Sequence, residues 1–200
     1  MTALDFWFEF GSTYSYLSAS RVAAVANAVG VEIRWHPFLL GPLFREFGWD
    51  DSPFNLYPVK GRYMWRDMQR LCEGYGLEFQ KPSVFPRNGL LASRICCAGE
   101  SESWLPTFVK ATFEANFGHD LDVADPDVLR GLLDGLGQSG QAILREAGGE
   151  VAKQRLRDQT DRAREIGIFG APSFVVGGEL YWGNDRLSDA IACAATGGIG

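Results

Sequence analysis

Residues 4 to 16 constrain the fold more than any other stretch: Leu4-Asp5-Phe6-Trp7-Phe8-Glu9-Phe10-Gly11-Ser12-Thr13-Tyr14-Ser15-Tyr16. Up to Phe10 the run is apolar and mostly aromatic apart from Asp5 and Glu9, the pattern of a core strand. Gly11 breaks the strand. Ser12 can then cap a helix predicted to run to about Val29, with Tyr16, Leu17, Val22 and Val25 among its apolar positions. Free backbone N–H groups and the positive end of the helix dipole favour an anion at such a start. Ser12 therefore has two readings, a plain N-cap or a ligand-facing hydroxyl. A second stretch far downstream, Gly170-Ala171-Pro172-Ser173-Phe174-Val175-Val176, adds weight to the ligand reading.

The rest of the chain falls into order around these two landmarks. Gly30 stops the first helix, and Val31 to Trp35 alternates as a half-buried strand closed by His36-Pro37. Residues 4 to 36 thus read as a β-α-β unit with parallel strands. Residues 38 to 61 are crowded with Phe38, Phe44, Phe47, Trp49, Phe54, Tyr57 and prolines but show no clear period. They read either as a loop packed over a core or as the wall of an aromatic pocket. From Tyr63 onward helical spacing dominates, through Met64, Met68 and Cys72, then Leu90 to Ala98, then Trp104 to Phe117. Asp125-Pro126 forms an N-cap and first-turn pair, and Glu150 to Ile166 carries charges of both signs on a solvated helix. Strands return at Ser173 to Val176 and Glu179 to Trp182, joined by Gly177-Gly178, before a final helix that Asp185 can cap.

A chain of 200 residues with 46% apolar content has ample material for a core. The net charge of −6 argues against nucleic acid as a partner. No apolar run is long enough for a membrane span, and no secretory signal is visible at the start. The four cysteines, Cys72, Cys96, Cys97 and Cys193, form no Cys-x-x-Cys pair and read as reduced, buried residues of a cytoplasmic protein. His36 and His119 stand apart from any ligand-spaced cluster, so no metal site is expected.

A β-α-β unit, a run of helices, then β-β-α is the order of an α/β, thioredoxin-like fold split by a large all-helical insertion. The expected division is a discontinuous thioredoxin-like domain, 1–37 and 167–200, with an insertion domain at 38–166. Four places then carry a family resemblance: Asp5 to Leu17; Asn55 with Pro58-Val59-Lys60-Gly61-Arg62-Tyr63; Phe169 to Phe174; and Trp182-Gly183-Asn184-Asp185-Arg186-Leu187. Taken in this order they resemble the DsbA-like branch of the thioredoxin superfamily. Within it, the chain is similar to the kappa-class glutathione transferases and, more closely, to the 2-hydroxychromene-2-carboxylate isomerases. Thr13 departs from the proline that the family often has after the serine.

The residues agree with what the resemblance implies. A redox thioredoxin needs an attacking and a resolving thiol at the strand-helix junction, and here the four positions read Ser12-Thr13-Tyr14-Ser15. Disulfide exchange through them is chemically closed. A serine hydroxyl at a helix start can instead hold a thiolate supplied by a cofactor, which the resemblance implies is glutathione. Pro172 is then the expected cis-proline, exposing the backbone of Ala171 to the cysteinyl part of glutathione; a plain turn is the alternative. Asn184 and Asp185, flanked by Trp182, Gly183 and Arg186, are expected at the γ-glutamyl end, Lys60 at a carboxylate, and Asn55, Phe38 and Asn88 on the substrate side. A simple cap for Asp185 and a solvated side chain for Lys60 are the competing readings. The resemblance also implies an isomerase in naphthalene-type aromatic catabolism, acting on a small aromatic acid and forming a homodimer. A glutathione transferase, a disulfide oxidoreductase and a non-catalytic glutathione-binding protein are the rivals.

Overall fold

The computed structural model describes residues 2–197. Four strands form one sheet in the order β2-β1-β3-β4: β1 (Leu4–Phe8), β2 (Ile33–Pro37), β3 (Ser173–Val176) and β4 (Glu179–Trp182). β1 and β2 are parallel, with Phe6 opposite Trp35, while β3 runs antiparallel to both β1 and β4. The alternation along β1 sends its aromatic side chains to opposite faces. Leu4, Phe6 and Phe8 join the larger core, and Trp7 joins a smaller one with Phe38, Leu43, Ala163, Ile168 and Val175. Both faces of the sheet are therefore covered, as the nearly unbroken apolar run of β1 requires. This is the thioredoxin-like α/β arrangement expected from the order of elements.

The first crossover departs from the expected single helix. It is two helices, α1 (Thr13–Ala19) and α2 (Val22–Asn27). At the break the Ser20 hydroxyl donates to the Tyr16 carbonyl and the Arg21 side chain to the Leu17 carbonyl, while the Arg21 N–H tightens onto Ser18. Side-chain bonds back to the preceding turn compete with a regular helix there. β2 also lies two residues later than the alternation suggests and includes Pro37. It is an edge strand, so a missing N–H costs no ladder bond on its open side.

Residues 38–61 are not an irregular loop. They contain α3 (Leu40–Glu46) and α4 (Pro53–Leu56), and α5 (Pro58–Tyr75) begins five residues before the expected start at Tyr63. α4 is too short for periodicity to reveal; Ser52 caps it and Pro53 opens it. Then come α6 (Leu90–Ala98), α7 (Leu105–Phe117), α8 (Pro126–Gly135), α9 (Gly140–Gly148) and α10 (Glu150–Ile166), and after the β3-β4 hairpin α11 (Leu187–Thr196). Met64, Met68, Phe108 and Phe113, all between β2 and β3 in the chain, share one core with Phe8 and Phe10 of the sheet side. No helix among the described residues is long and apolar enough to cross a membrane.

Candidate active site

Ser12 is where the strand-to-helix turn delivers a polar group to open space. Its N–H donates to the Glu9 carbonyl at 3.0 Å, closing a turn over Phe10 and Gly11. Its Oγ accepts from the Ser15 N–H at 3.2 Å, the N-cap bond of α1. The same hydroxyl donates to the Ala171 carbonyl at 2.8 Å. Ser12 and Ala171 lie 159 positions apart in sequence, so only the pairing of β3 against β1 brings them together. The Ala171–Pro172 peptide is cis. The Gly183 N–H donates to the Pro172 carbonyl at 2.9 Å, which ties the end of β4 to the same corner.

These groups border one cavity of about 1310 Å³. A single small-molecule site commonly occupies roughly 300–1,000 Å³, so there is room for a cofactor and a second ligand together. One side is Ser12, Thr13 and Tyr14 with Ala171 and Pro172; another is Trp182 to Arg186. Lys60, Tyr63 and Asp67 of α5 also border it, and Phe85 to Leu90 and residues of the segment from Leu39 to Phe54 complete the walls. Thr13 turns away from the cavity: it is buried, and its hydroxyl donates to the Met64 sulfur at 3.0 Å. The Tyr14 hydroxyl donates to Asp67 at 2.9 Å, and burial together with that bond raises its pKa, so the phenol stays protonated.

The expected site residues separate on this geometry. Ser12, Lys60, Asn88, Ala171, Pro172, Trp182, Gly183, Asn184, Asp185 and Arg186 all border the cavity. Asn184 is buried, its Oδ1 accepting from the Ser18 hydroxyl at 3.1 Å and from Arg21 at 2.8 Å. Arg21 in turn stacks on Tyr75 at 3.9 Å. Asp185 does not cap the final helix as expected. It lies in a short 3-10 turn, Asn184–Arg186, and pairs with Arg186 at 3.1 Å. Its exposed carboxylate is thereby left at the cavity rim rather than folded onto α11.

Phe38 and Asn55 are corrections. Phe38 is fully buried beneath the sheet, edge-on to Trp7, and does not border the cavity. Its position directly after β2 carries it into the smaller core. Asn55 donates to Asp51 and to the Phe85 carbonyl, each at 3.0 Å, bracing the wall from outside. The apolar wall is made instead by Leu39, Leu40, Phe44, Trp49 and Phe54. α4 and α5 meet closely because Gly61 has no side chain: a Cβ there would sit 2.1 Å from the Phe54 carbonyl oxygen. That approach sets Lys60 over the Phe54 ring, 5.8 Å from its centre.

Two cavity residues had no signal in the sequence pattern. Glu9 directly follows β1, where an outward carboxylate is ordinary, yet here it borders the cavity and is partly buried. Desolvation lifts its pKa from 4.5 to about 7, opposed by a bond from the Gly11 N–H at 2.9 Å. Arg45, on α3, was hidden in a segment without visible period.

Comparison with known proteins agrees with this picture. Residues 3–191 match the family described as the DSBA-like thioredoxin domain. The chain is 32% identical to a 2-hydroxychromene-2-carboxylate isomerase of Pseudomonas putida, over 92% of this chain and 90% of that protein. A solved 2-hydroxychromene-2-carboxylate isomerase superposes with a TM-score of 0.85 at 27% identity, covering 95% of this chain and 93% of the other. Glutathione S-transferase kappa 1 of Rattus norvegicus is more distant, 22% identical over 92% of this chain and 87% of its own length. A thioredoxin-like sheet with serine in place of thiols, matched nearly end to end, places this chain in the DSBA-like thioredoxin family, within the group of the 2-hydroxychromene-2-carboxylate isomerases.

Proposed function

We propose that this protein is a glutathione-dependent isomerase that interconverts 2-hydroxychromene-2-carboxylate and trans-o-hydroxybenzylidenepyruvate. The observation that carries the reading is the Ser12 hydroxyl, held at a helix start against the Ala171 carbonyl in a cavity whose described lining contains no cysteine. Such a hydroxyl can turn from Ala171 to donate to a thiolate, and the freed carbonyl can then accept the cysteinyl N–H of glutathione. The Asp185 carboxylate and the N–H groups of the 184–186 turn suit the γ-glutamyl ammonium and carboxylate. Lys60, which has no ion-pair partner among the described residues, suits a carboxylate of glutathione or of the substrate.

Glutathione, when bound, supplies the sulfur nucleophile; the chain's own residues do the rest. Ser12 holds the charge on sulfur, Ala171 aligns the cysteinyl backbone, and the apolar wall of Phe44, Trp49 and Phe54 takes a bicyclic aromatic acid and excludes water. Rotation about a bond made temporarily single then requires space, which the cavity has. Membership in the group also supports a homodimer in the cytoplasm serving aromatic catabolism. A kappa-like transferase that conjugates electrophiles is the second reading, because the kappa relative matches along most of the chain and the thiolate site serves either reaction.

The test is spectrophotometric conversion of 2-hydroxychromene-2-carboxylate with and without glutathione. Turnover only with glutathione is expected. Glutathione bound tightly with no conversion would discard this substrate and leave the transferase reading.

A further inference from the structure

Among the described residues, Glu9 is the one partly buried acidic side chain of the cavity that has neither an ion pair nor a hydrogen bond to another side chain. Asp67 accepts from Tyr14, Asp51 from Asn55 and the Ser52 N–H, and Asp185 pairs with Arg186, while Asp50 is exposed. Glu9 and Ser12 are the two ends of a single turn, closed by the Ser12 N–H on the Glu9 carbonyl. The carboxylate folds back so that Oε2 accepts from the Gly11 N–H, which leaves Oε1 free.

Two glycines make room for it. A Cβ on Gly11 would stand 3.0 Å from Oε2, and one on Gly89 would stand 3.3 Å from Oε1 and 2.7 Å from the Phe10 Cβ. The side chain thus occupies a slot between the turn and the 86–89 loop, within the walls of the cavity. No cation among the described residues answers it. The guanidinium of Arg87, in that loop, is spent on Asn116, Ser83 and Asp120. Asn116 of α7 donates to the Phe10 carbonyl, and Tyr14 of α1 donates to Asp67. Lys60, Arg186 and Asp185 border the same cavity, and none of them pairs with Glu9.

We propose that Glu9 takes the thiol proton when glutathione binds. The inference rests on the glutathione reading above. The S–H bond of the cofactor breaks, sulfur keeps the electron pair and accepts the Ser12 O–H, and the proton forms an O–H bond at Glu9. Two neighbouring anions in a partly buried site repel, so forming the thiolate raises the proton affinity of the carboxylate near it. The pair holds one proton and one negative charge before and after the transfer, so the site gains a reactive sulfur with no change in net charge. A carboxyl whose pKa is raised to about 7 is ionised and ready at slightly alkaline pH.

The experiment counts protons. Glutathione is titrated into the protein at about pH 8 by calorimetry in buffers of different ionisation enthalpy, and thiolate is followed by its ultraviolet absorbance. Wild type is expected to form thiolate while releasing close to no proton, and to release more as pH falls through about 7, where Glu9 is already protonated. Glu9→Gln keeps the shape and the acceptor for Gly11, and is expected to release close to one proton per glutathione at about pH 8. Thiolate formed in wild type with a full proton released there overturns the role of Glu9 alone. Equal release by wild type and Glu9→Gln does the same. Absence of glutathione binding in wild type removes the cofactor reading and this inference with it.

Discussion

At the scale of single residues, Ser12 has two jobs that a substitution would separate. It caps α1 through Ser15, and its proton is offered toward the cavity. Ser12→Ala should cost about 1 kcal/mol of stability as a lost cap. If the hydroxyl also holds a thiolate, the same change removes a hydrogen bond to a charged group, about 1.5–3 kcal/mol, or roughly 10- to 150-fold in kcat/KM. Unchanged turnover in a folded Ser12→Ala protein would end that assignment. Glu9 makes a prediction about pH. Its carboxyl keeps its proton to about pH 7 when folded, against 4.5 as the ordinary value. Between those values the folded form binds more protons than the unfolded one, so Glu9's contribution to stability falls as pH rises across that window. Thermal unfolding should show wild type losing more stability from about pH 5 to 8 than Glu9→Gln; parallel curves would place the carboxylate in water.

At the scale of elements, the site depends on how closely helices approach. α4 rests on α5 at Gly61, with no room for a methyl group against the Phe54 carbonyl. Gly61→Ala should therefore separate the two helices and cost about 1–3 kcal/mol, the range of overpacked contacts, despite alanine's better helix propensity. A midpoint in urea at or above the wild-type value would show that the contact yields freely. Because Lys60 precedes this glycine and lies over Phe54, the same variant should weaken anion binding at that wall. The β3-β4 hairpin works differently. Gly177 and Gly178 both have positive φ, 58° and 91°, so the turn matches the strand twist and aligns Trp182 with Ser173 beside the cis-proline corner.

At the scale of the whole molecule, the thioredoxin-like frame is retained while its redox chemistry is absent from the described cavity. Cys72, Cys96 and Cys97 are buried, and desolvation pushes the thiols of Cys72 and Cys97 up to about 11 and 12. Such thiols are almost wholly protonated at neutral pH and make poor nucleophiles. Brief treatment of the native protein with iodoacetamide should leave the proposed glutathione-dependent turnover intact, and a protein disulfide reductase assay should read zero. A cysteine whose alkylation stops turnover would reverse this reading.

What the sequence determined by itself was local. The aromatic run of β1, the break at Gly11, the cap at Ser12, the glycine pair of the hairpin and the lack of any thiol at the strand-helix junction are visible because each is a matter of neighbouring residues and backbone geometry. The order of strands and helices then points to the fold, and the family resemblance to ten of the residues that border the cavity. Tertiary structure decided the rest. Phe38 and Phe44 are both apolar in one unperiodic segment, yet one closes the smaller core and the other walls the cavity, because α3 turns the chain between them. Asn55 reaches Phe85, thirty positions away, instead of the cavity. Glu9 looks like an outward strand carboxylate until the 86–89 loop folds over it. Burial and electric environment are set by groups distant in sequence, so a pattern of neighbours carries the element and only the packed chain carries the chemistry.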